Sequence, residues 1–292
     1  MTDTKILYHY LLDYIEADKI ENLSDTERLA LIASIVKNGP FNETWNALIE
    51  LFYAWKWDHK HEAITYTNNL ITDWPLVVRT VNMAWARVFN NGYLTDVILL
   101  AKGIDINRST NGNDLTVVAS SPFAVNLIEI SIDRSSVSLE GMLALSGSKF
   151  LRHLVILNLN GITLSDEKLE ILFNPTALDG LKILKLKNCG INIERTKLLA
   201  KSKLLTQLKG LNLSYNTIGN EGVNVLFNST LLPDLEQLDL TDNFISDEGA
   251  VLLLKCDKLP NLIELTLSRN NINKPEVLYA LAAKKNNLKL IL

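Results

Sequence analysis

The chain has 292 residues, of which 47% are hydrophobic and 21% charged, and its formal net charge is −4. This balance is typical of a folded globular protein, and the negative charge argues against a general nucleic-acid binder, which carries a basic patch. The acidic N-terminus lacks a basic n-region, and no uncharged apolar run reaches the ~18 residues of a membrane span. We therefore expect no membrane segment and a cytoplasmic location, with export by a specialised system left open.

Residues 1–91 are predicted to form an all-helical domain. Apolar residues recur at helical spacing over residues 6–15, which predicts a first helix. Ser24 and Glu27 form a capping-box signature in front of a second apolar run. Further helices are predicted over residues 42–56, 60–72 and 75–90.

All five tryptophans fall in this first domain, which indicates either an aromatic core or exposed anchors for a partner. They are Trp45, Trp55, Trp57, Trp74 and Trp85.

The stretch WKWDHKHEAIT, residues 55–65, raises the question of a metal or catalytic site. A helical zinc site needs H-E-x-x-H, but Thr65 stands where the second histidine should follow His61 and Glu62. His59 and His61 are two residues apart and would face nearly opposite sides of a helix. We interpret the stretch as a solvated turn between helices, and we expect no metal and no cofactor.

Residues 92–126 carry a weaker apolar pattern and are predicted to be a capping strand or a degenerate repeat. A cap is expected because the end of a repeat array otherwise exposes its core. The residues that fit the pattern are Leu94, Val97, Leu99, Ile104 and Ile106.

Residues 127–292 contain an internal repeat with a period of 27 residues. The frame L-x-x-L-x-L-x-x-N-x-I begins at Leu127, Leu154, Leu181, Leu208, Leu235 and Leu262. Its alternating part predicts a strand with one buried face, and the second half of each repeat has helical spacing. A helical apolar column is expected at Leu145, Leu172, Leu199, Leu226, Leu253 and Ala280. Coils of this kind bury their apolar faces only by stacking on one another.

The segments NTIGNEG (residues 216–222) and NFISDEG (residues 243–249) resemble the ribonuclease-inhibitor-like subtype of leucine-rich repeat proteins. The resemblance is to a bacterial-type member with a helical N-terminal domain. It implies an α/β fold: a right-handed solenoid with parallel β-strands on a concave face and helices on a convex face, preceded by an all-α domain. It says little about function, because the same scaffold serves many different partners.

Members of this family place Asn or Cys in the turn after the strand, where the side chain satisfies backbone groups. The corresponding column here reads Ser135, Ile162, Cys189, Asn216, Asn243 and Asn270. Ile162 cannot make such bonds, so we expect an irregular turn in that repeat. Cys189 and Cys256 are interpreted as structural residues with no disulfide between them.

The concave face is the candidate binding surface. Its centre is basic and slightly apolar and is flanked by acidic residues, which would suit an acidic segment of a protein partner; a plain solvated face is the alternative. The candidate residues are Ile156, Asn158, Ile183, Lys185, Lys187, Asn212, Tyr215, Asp239, Thr241, Asp242, Glu264 and Arg269.

We therefore predict a monomeric, non-enzymatic scaffold that binds a protein partner, with no nucleic acid and no membrane involved. Sequence motifs for phosphate loops, dinucleotide binding and serine hydrolases are absent. Two alternatives stay open. One is regulation of a small GTPase, which rests only on the family resemblance, and the other is an enzyme with its site in the helical domain.

Overall fold

The computed structural model describes residues 23–54, 60–76, 78–82, 96–107, 112–229, 232–285 and 287–292. The chain divides into two compact units, Met1–Asp105 with Pro122–Leu127 and Ile106–Ser121 with Ile128–Leu292. None of the helices in these ranges has both the length and the apolar character needed to cross a membrane.

The first unit contains three described α-helices and one pair of short parallel strands. Their bounds are α1 (Asp25–Val36), α2 (Asn42–Ala54), α3 (Lys60–Leu70), β1 (Thr80–Asn82) and β2 (Gly103–Asp105). Two 3-10 helices, Asp96–Leu100 and Pro122–Asn126, belong to the same unit.

The start of α1 confirms the predicted capping box. The Ser24 hydroxyl accepts a hydrogen bond from the Glu27 amide, and the Glu27 carboxylate accepts one from the Ser24 amide. Trp45 is buried and donates its indole N–H to the Thr80 carbonyl at 3.3 Å, whereas Trp74 is half-buried. The helix predicted over residues 6–15 and the tryptophans at 55, 57 and 85 lie outside the described residues.

One prediction for this unit is wrong, and a second needs adjustment. A helix was expected over residues 75–90, but residues 80–82 form β1, which pairs in parallel with β2 and buries Val81. Residues 92–126, predicted as a capping strand or a degenerate repeat, contain strand β2 with Ile104, but Val97 and Leu99 of the same apolar pattern lie in the 3-10 helix before it. In both places pairing between distant segments overrides a local apolar pattern that suits more than one conformation.

A buried arginine links several segments of this unit through hydrogen bonds. Arg79 is 2% exposed, and its guanidinium donates to the carbonyls of Leu100 and Ile71 and to the side-chain oxygen of Asn68. Burial lowers the pKa of Arg79 to about 10. The carbonyl oxygens thus hold a cation that burial alone would penalise.

The second unit is a stack of coils with seven parallel strands in sequence order. The strands are β3 (Glu129–Ser131), β4 (Ile156–Asn158), β5 (Ile183–Lys185), β6 (Gly210–Asn212), β7 (Gln237–Asp239), β8 (Glu264–Thr266) and β9 (Lys289–Ile291). The helices are α4 (Asp114–Ala119), α5 (Leu139–Ser146), α6 (Asp166–Phe173), α7 (Ile193–Leu199), α8 (Gly219–Ser229), α9 (Asp247–Lys255) and α10 (Pro275–Ala282), with a 3-10 helix at Lys203–Gln207.

The register confirms the predicted period. Glu129 pairs with Ile156, and Ile156 with Ile183, so each strand residue lies 27 positions from its partner. The last pair joins Glu264 to Lys289, which makes the final coil two residues shorter. This shortening overturns one expectation: Ala280 is exposed, and Leu278 takes the buried helical position.

Short polar side chains cap the N-termini of several helices in these coils. Hydroxyl or amide oxygens accept a backbone N–H in the first turn of α5, α6, α7 and α9, which leaves the apolar faces of the helices free for the core. The capping residues are Ser138, Ser165, Asn192 and Ser246.

A ladder of buried amides joins consecutive coils in the turn after each strand. Asn216 donates to the carbonyls of Leu186 and Leu213, and its oxygen accepts from the amides of Cys189 and Ile191. Asn243 and Asn270 make the equivalent bonds in the next two coils. The predicted role of this column is confirmed for its asparagines.

The turn at Ile162 is regular, contrary to expectation. Gly161 has φ +68° and its amide donates to the Lys187 carbonyl at 2.7 Å. In the neighbouring coils the residue at the corresponding position is also left-handed, and its amide makes the corresponding backbone hydrogen bond. Because glycine adopts this conformation at no steric cost, the turn keeps its shape without a side-chain amide, and Ile162 fills the interior.

Both cysteines are free thiols, and they occupy two different columns of the repeat. Cys189 is buried, its thiol donates to the Leu159 carbonyl at 3.0 Å, and burial raises its pKa to about 11. Cys256 is half-buried and donates to the Phe227 carbonyl at 3.4 Å. Ser202 makes the corresponding bond to Phe173 two coils earlier, so Cys256 stands in a column that ties each coil to the preceding one.

Replacing Asn216 with leucine should destabilise the second unit strongly. The change keeps the side-chain volume but leaves two amides and at least two carbonyls without partners in the interior. Since each orphaned buried group costs about 1–3 kcal/mol, we expect a loss of at least ~3 kcal/mol in the free energy of unfolding, measured by urea denaturation. Thr217→Ala, an exposed neighbour, is the matched control and should change it by less than ~0.5 kcal/mol. A loss for Asn216→Leu as small as the control's would contradict the ladder's role.

The two thiols should differ sharply in reactivity. The thiolate is the reactive form, and a pKa of about 11 together with burial keeps Cys189 protonated and shielded at pH 8. Iodoacetamide should therefore label native Cys256 first, as followed by peptide mass spectrometry. A Cys256→Ser variant should show almost no labelling until the chain is unfolded, and rapid labelling of native Cys189 would refute this account.

Candidate functional site

The exposed face of the seven-stranded sheet brings the predicted columns together as expected from the strand period. Ile156 pairs with Ile183 and Ile183 with Gly210, while Lys185 lies between Asn158 and Asn212. Ile156, Ile183 and Lys185 are half-buried. Because neighbouring strands lie about 4.8 Å apart, these side chains form one continuous surface, the concave face of the sequence analysis.

Several polar residues of the concave face bond to one another. Asn212 donates to the Asp239 carboxylate at 2.9 Å, and Thr241 donates its hydroxyl to the same carboxylate at 2.6 Å. Asn158 donates to Ser131 in the same manner at 3.0 Å. These bonds hold the side chains in fixed positions. They also occupy part of the hydrogen-bonding capacity that the side chains could offer to a partner.

A column of left-handed residues forms one edge of the concave face. These residues come directly before the ladder position in six successive coils, and all have φ between +50° and +68°. They are Arg134, Gly161, Asn188, Tyr215, Asp242 and Arg269. Since their backbone conformation is the same, their side chains stand in register along this edge, which we call the rim.

Tyr215 is the centre of a cationic cluster on the rim. The Lys187 ammonium lies 4.4 Å from the centroid of the Tyr215 ring, and the Arg269 guanidinium carbon lies 5.5 Å from it. Arg269 also donates to the Tyr215 hydroxyl at 3.3 Å and pairs with the Asp242 carboxylate at 3.7 Å. The ring thus holds two cations at one place on the surface.

Three acids of the face, Asp133, Asp242 and Glu264, pair with a neighbouring cation, whereas Asp239 keeps its charge and accepts hydrogen bonds from neutral donors. Asp242 pairs with Arg269, Glu264 pairs with Lys289 at 3.2 Å, and Asp239 accepts the two hydrogen bonds described above. Asp133 pairs with its neighbour Arg134 at 3.6 Å. Glu129 has no such pair with a described residue, and it stands two strands from Lys185, roughly 10 Å away.

Among the residues that the structure describes, no carboxylate pairs with either of the two central lysines. Within the described ranges, Lys185 has no charged or hydrogen-bonding partner for its ammonium, and Lys187 contacts only the Tyr215 ring. The middle of the concave face therefore carries two uncompensated positive charges next to the apolar surface of Ile156 and Ile183.

A cavity of about 390 Å³ lies away from this face, between two successive turns that follow α5 and α6. Its charged lining residues are Lys149, Arg152 and Asp179. Charges of both signs and the negative end of α5 leave it without a consistent preference for one ligand charge.

The histidine stretch forms no visible site where it is described. His61 lies exposed on α3, and the Thr65 hydroxyl donates to its carbonyl at 3.0 Å. His59 lies outside the described residues. Among the residues that are described, no three His, Cys, Asp or Glu side chains cluster in a way that could hold a metal ion.

One exposed residue beside the rim, Phe244, was missed at the level of sequence. Phe244 is 60% exposed and has φ +59°. Its column otherwise reads Ser136, Thr163, Gly190, Thr217 and Asn271. A large apolar residue among small and polar ones was the signal that could have identified it.

Comparison with known proteins agrees with the repeat geometry. The Leucine Rich repeat family matches residues 205–227 and 232–254. No curated protein matches the chain.

Several solved bacterial structures are similar to the chain. An internalin from Listeria monocytogenes is 19% identical, covers 68% of this chain and 50% of its own, and has a TM-score of 0.42. A Bacteroides fragilis protein is 17% identical over 80% of this chain and 84% of its own, with a TM-score of 0.46. A Leptospira interrogans leucine-rich repeat protein is 17% identical over 69% of this chain and 58% of its own, with a TM-score of 0.35.

The chain spans about half the length of the internalin. The family assignment rests on the match to the Leucine Rich repeat family together with the repeat itself. The 27-residue register, the strand and helix of each coil and the asparagine ladder all occur in the second unit. The second unit is a leucine-rich repeat solenoid, and residues 205–227 and 232–254 within it match the Leucine Rich repeat family.

Proposed function

We propose that this chain is a protein-interaction module whose concave face binds an extended acidic segment of a partner. The observation that carries the proposal is the pair of uncompensated cations, Lys185 and Lys187, at the centre of a face whose acids are mostly paired. A carboxylate placed between them would gain two attractive interactions at a partly desolvated surface.

The apolar surface beside the lysines adds a second recognition element. Ile156 and Ile183 are half-buried and adjacent, and Gly210 continues their row without a side chain. The nearest atoms to a Cβ placed on Gly210 are those of Ile183, from 3.5 Å. An aliphatic side chain of the partner could rest there while neighbouring carboxylates reach Lys185.

The other functions considered have less support. Regulation of a small GTPase and catalysis in the first unit have no described residue that would carry them. A monomeric state and a cytoplasmic location remain expectations of the sequence analysis.

Binding should depend on the two lysines specifically. The probe is a fluorescein-labelled peptide of about eight residues that alternates glutamate and leucine, followed by fluorescence anisotropy. Replacing Lys185 and Lys187 together with glutamine should weaken its Kd about 10-fold, which corresponds to about 1.4 kcal/mol. The effect should shrink as salt is raised, because ions screen exposed charges.

The matched control removes the same charge elsewhere. Lys201 and Lys203 are exposed and precede β6, away from the strands. Their double replacement with glutamine should leave the Kd unchanged within about twofold. An equal loss in both double variants would show that net charge alone attracts the peptide, and the proposed site would then be wrong.

A further inference from the structure

Phe244, two residues after the rim residue Asp242, combines two unfavourable features. Its side chain is 60% exposed, more than any other large hydrophobic residue in the described part of the chain. Its backbone adopts φ +59°, a region in which a bulky residue is a genuine outlier. An exposed ring buries too little apolar surface to compensate for a left-handed backbone.

The turn itself does not require a ring at this position. Asn243, the ladder residue, is fully buried between two left-handed residues, Asp242 and Phe244. Two coils earlier, Cys189 is flanked in the same manner, and there the second left-handed residue is Gly190 with φ +69°. Glycine meets the conformational demand without strain, so the presence of phenylalanine calls for a reason outside the fold.

Phe244 lies beside the charged part of the rim. It follows Asp242 by two residues, so their Cα atoms are at most ~7 Å apart. Asp242 pairs with Arg269, which donates to Tyr215, and Tyr215 contacts Lys187. Phe244 therefore continues a surface that leads from the central lysines to the edge of the sheet.

We propose that Phe244 is a contact residue for the acidic segment, against whose ring a large apolar side chain of that segment packs. This inference rests on the proposed function, since it concerns the same partner. The carboxylates of the segment lie at Lys185 and Lys187, and its apolar residue lies at Phe244. The two places are two coils apart, roughly 10 Å across the strands, which an extended peptide of about eight residues spans easily.

The test uses the full chain and two labelled peptides of about eight residues, one alternating glutamate with leucine and one alternating glutamate with serine. Phe244→Gly should weaken binding of the glutamate–leucine peptide at least about fivefold, as expected for an aromatic contact residue. It should leave binding of the glutamate–serine peptide unchanged within about twofold. Phe244→Leu, which keeps an apolar side chain, should retain most of the affinity for the first peptide.

Two controls separate an effect on peptide recognition from an effect on folding and from nonspecific binding to exposed apolar side chains. The unfolding temperature of Phe244→Gly should equal or exceed that of the wild type, because glycine relieves the backbone; a clear decrease would make the ring structural and overturn the proposal. Leu252, 46% exposed on helix α9 of the same coil, is the matched apolar control. Leu252→Ser should not change peptide binding, and a loss equal to that of Phe244→Gly would also overturn the proposal.

The failures of the two proposals are distinguishable. If both peptides bind, the lysine variant weakens both and Phe244→Gly weakens neither, the acidic site stands and the role of Phe244 is wrong. If neither peptide binds the wild type, both proposals are wrong.

Discussion

The buried asparagine ladder is the constraint on which the second unit depends. A coil of this kind contacts only its two neighbours, so its stability comes from interfaces repeated along the stack. The turn that leaves each strand would bury backbone amides and carbonyls without partners, at a cost of about 1–3 kcal/mol each. Asn216, Asn243 and Asn270 remove that cost by bonding two coils at once.

The same turn also builds the candidate site. Placing the ladder side chain inside the stack requires a left-handed residue immediately before it, and that residue projects at the edge of the sheet. The coils therefore present a row of rim side chains at a fixed spacing of about 4.8 Å. Tyr215, Asp242 and Arg269 owe their mutual contacts to this requirement of the fold.

Much of the second unit could be predicted from the sequence because its signals recur. Leu184, Leu211 and Leu238 repeat one buried position, so a single pattern determined every strand. Where the repeat changes length, prediction failed, as at Ala280. The turn at Ile162 lacks the ladder amide and yet stays regular, because Gly161, the residue before it, supplies the left-handed conformation.

Less of the first unit and of the site could be predicted. Strand β1 was mistaken for a helix because its partner β2 lies more than twenty residues away and leaves no local signal. Arg79 was not identified, since nothing in sequence shows that carbonyls will surround it. The columns of the concave face followed from strand alternation. The ion pairs of Asp242 and Glu264 with cations other than the two central lysines depend on three-dimensional distances.

The most direct test of the central claim is a map of peptide contacts by nuclear magnetic resonance on the isotopically labelled chain. Backbone amide shifts are recorded while the glutamate–leucine peptide is titrated. The account predicts that the largest changes cluster at residues 183–187, at Tyr215 and at residues 242–244. Changes confined to the helices, or centred on the cavity near Lys149 and Arg152, would contradict it.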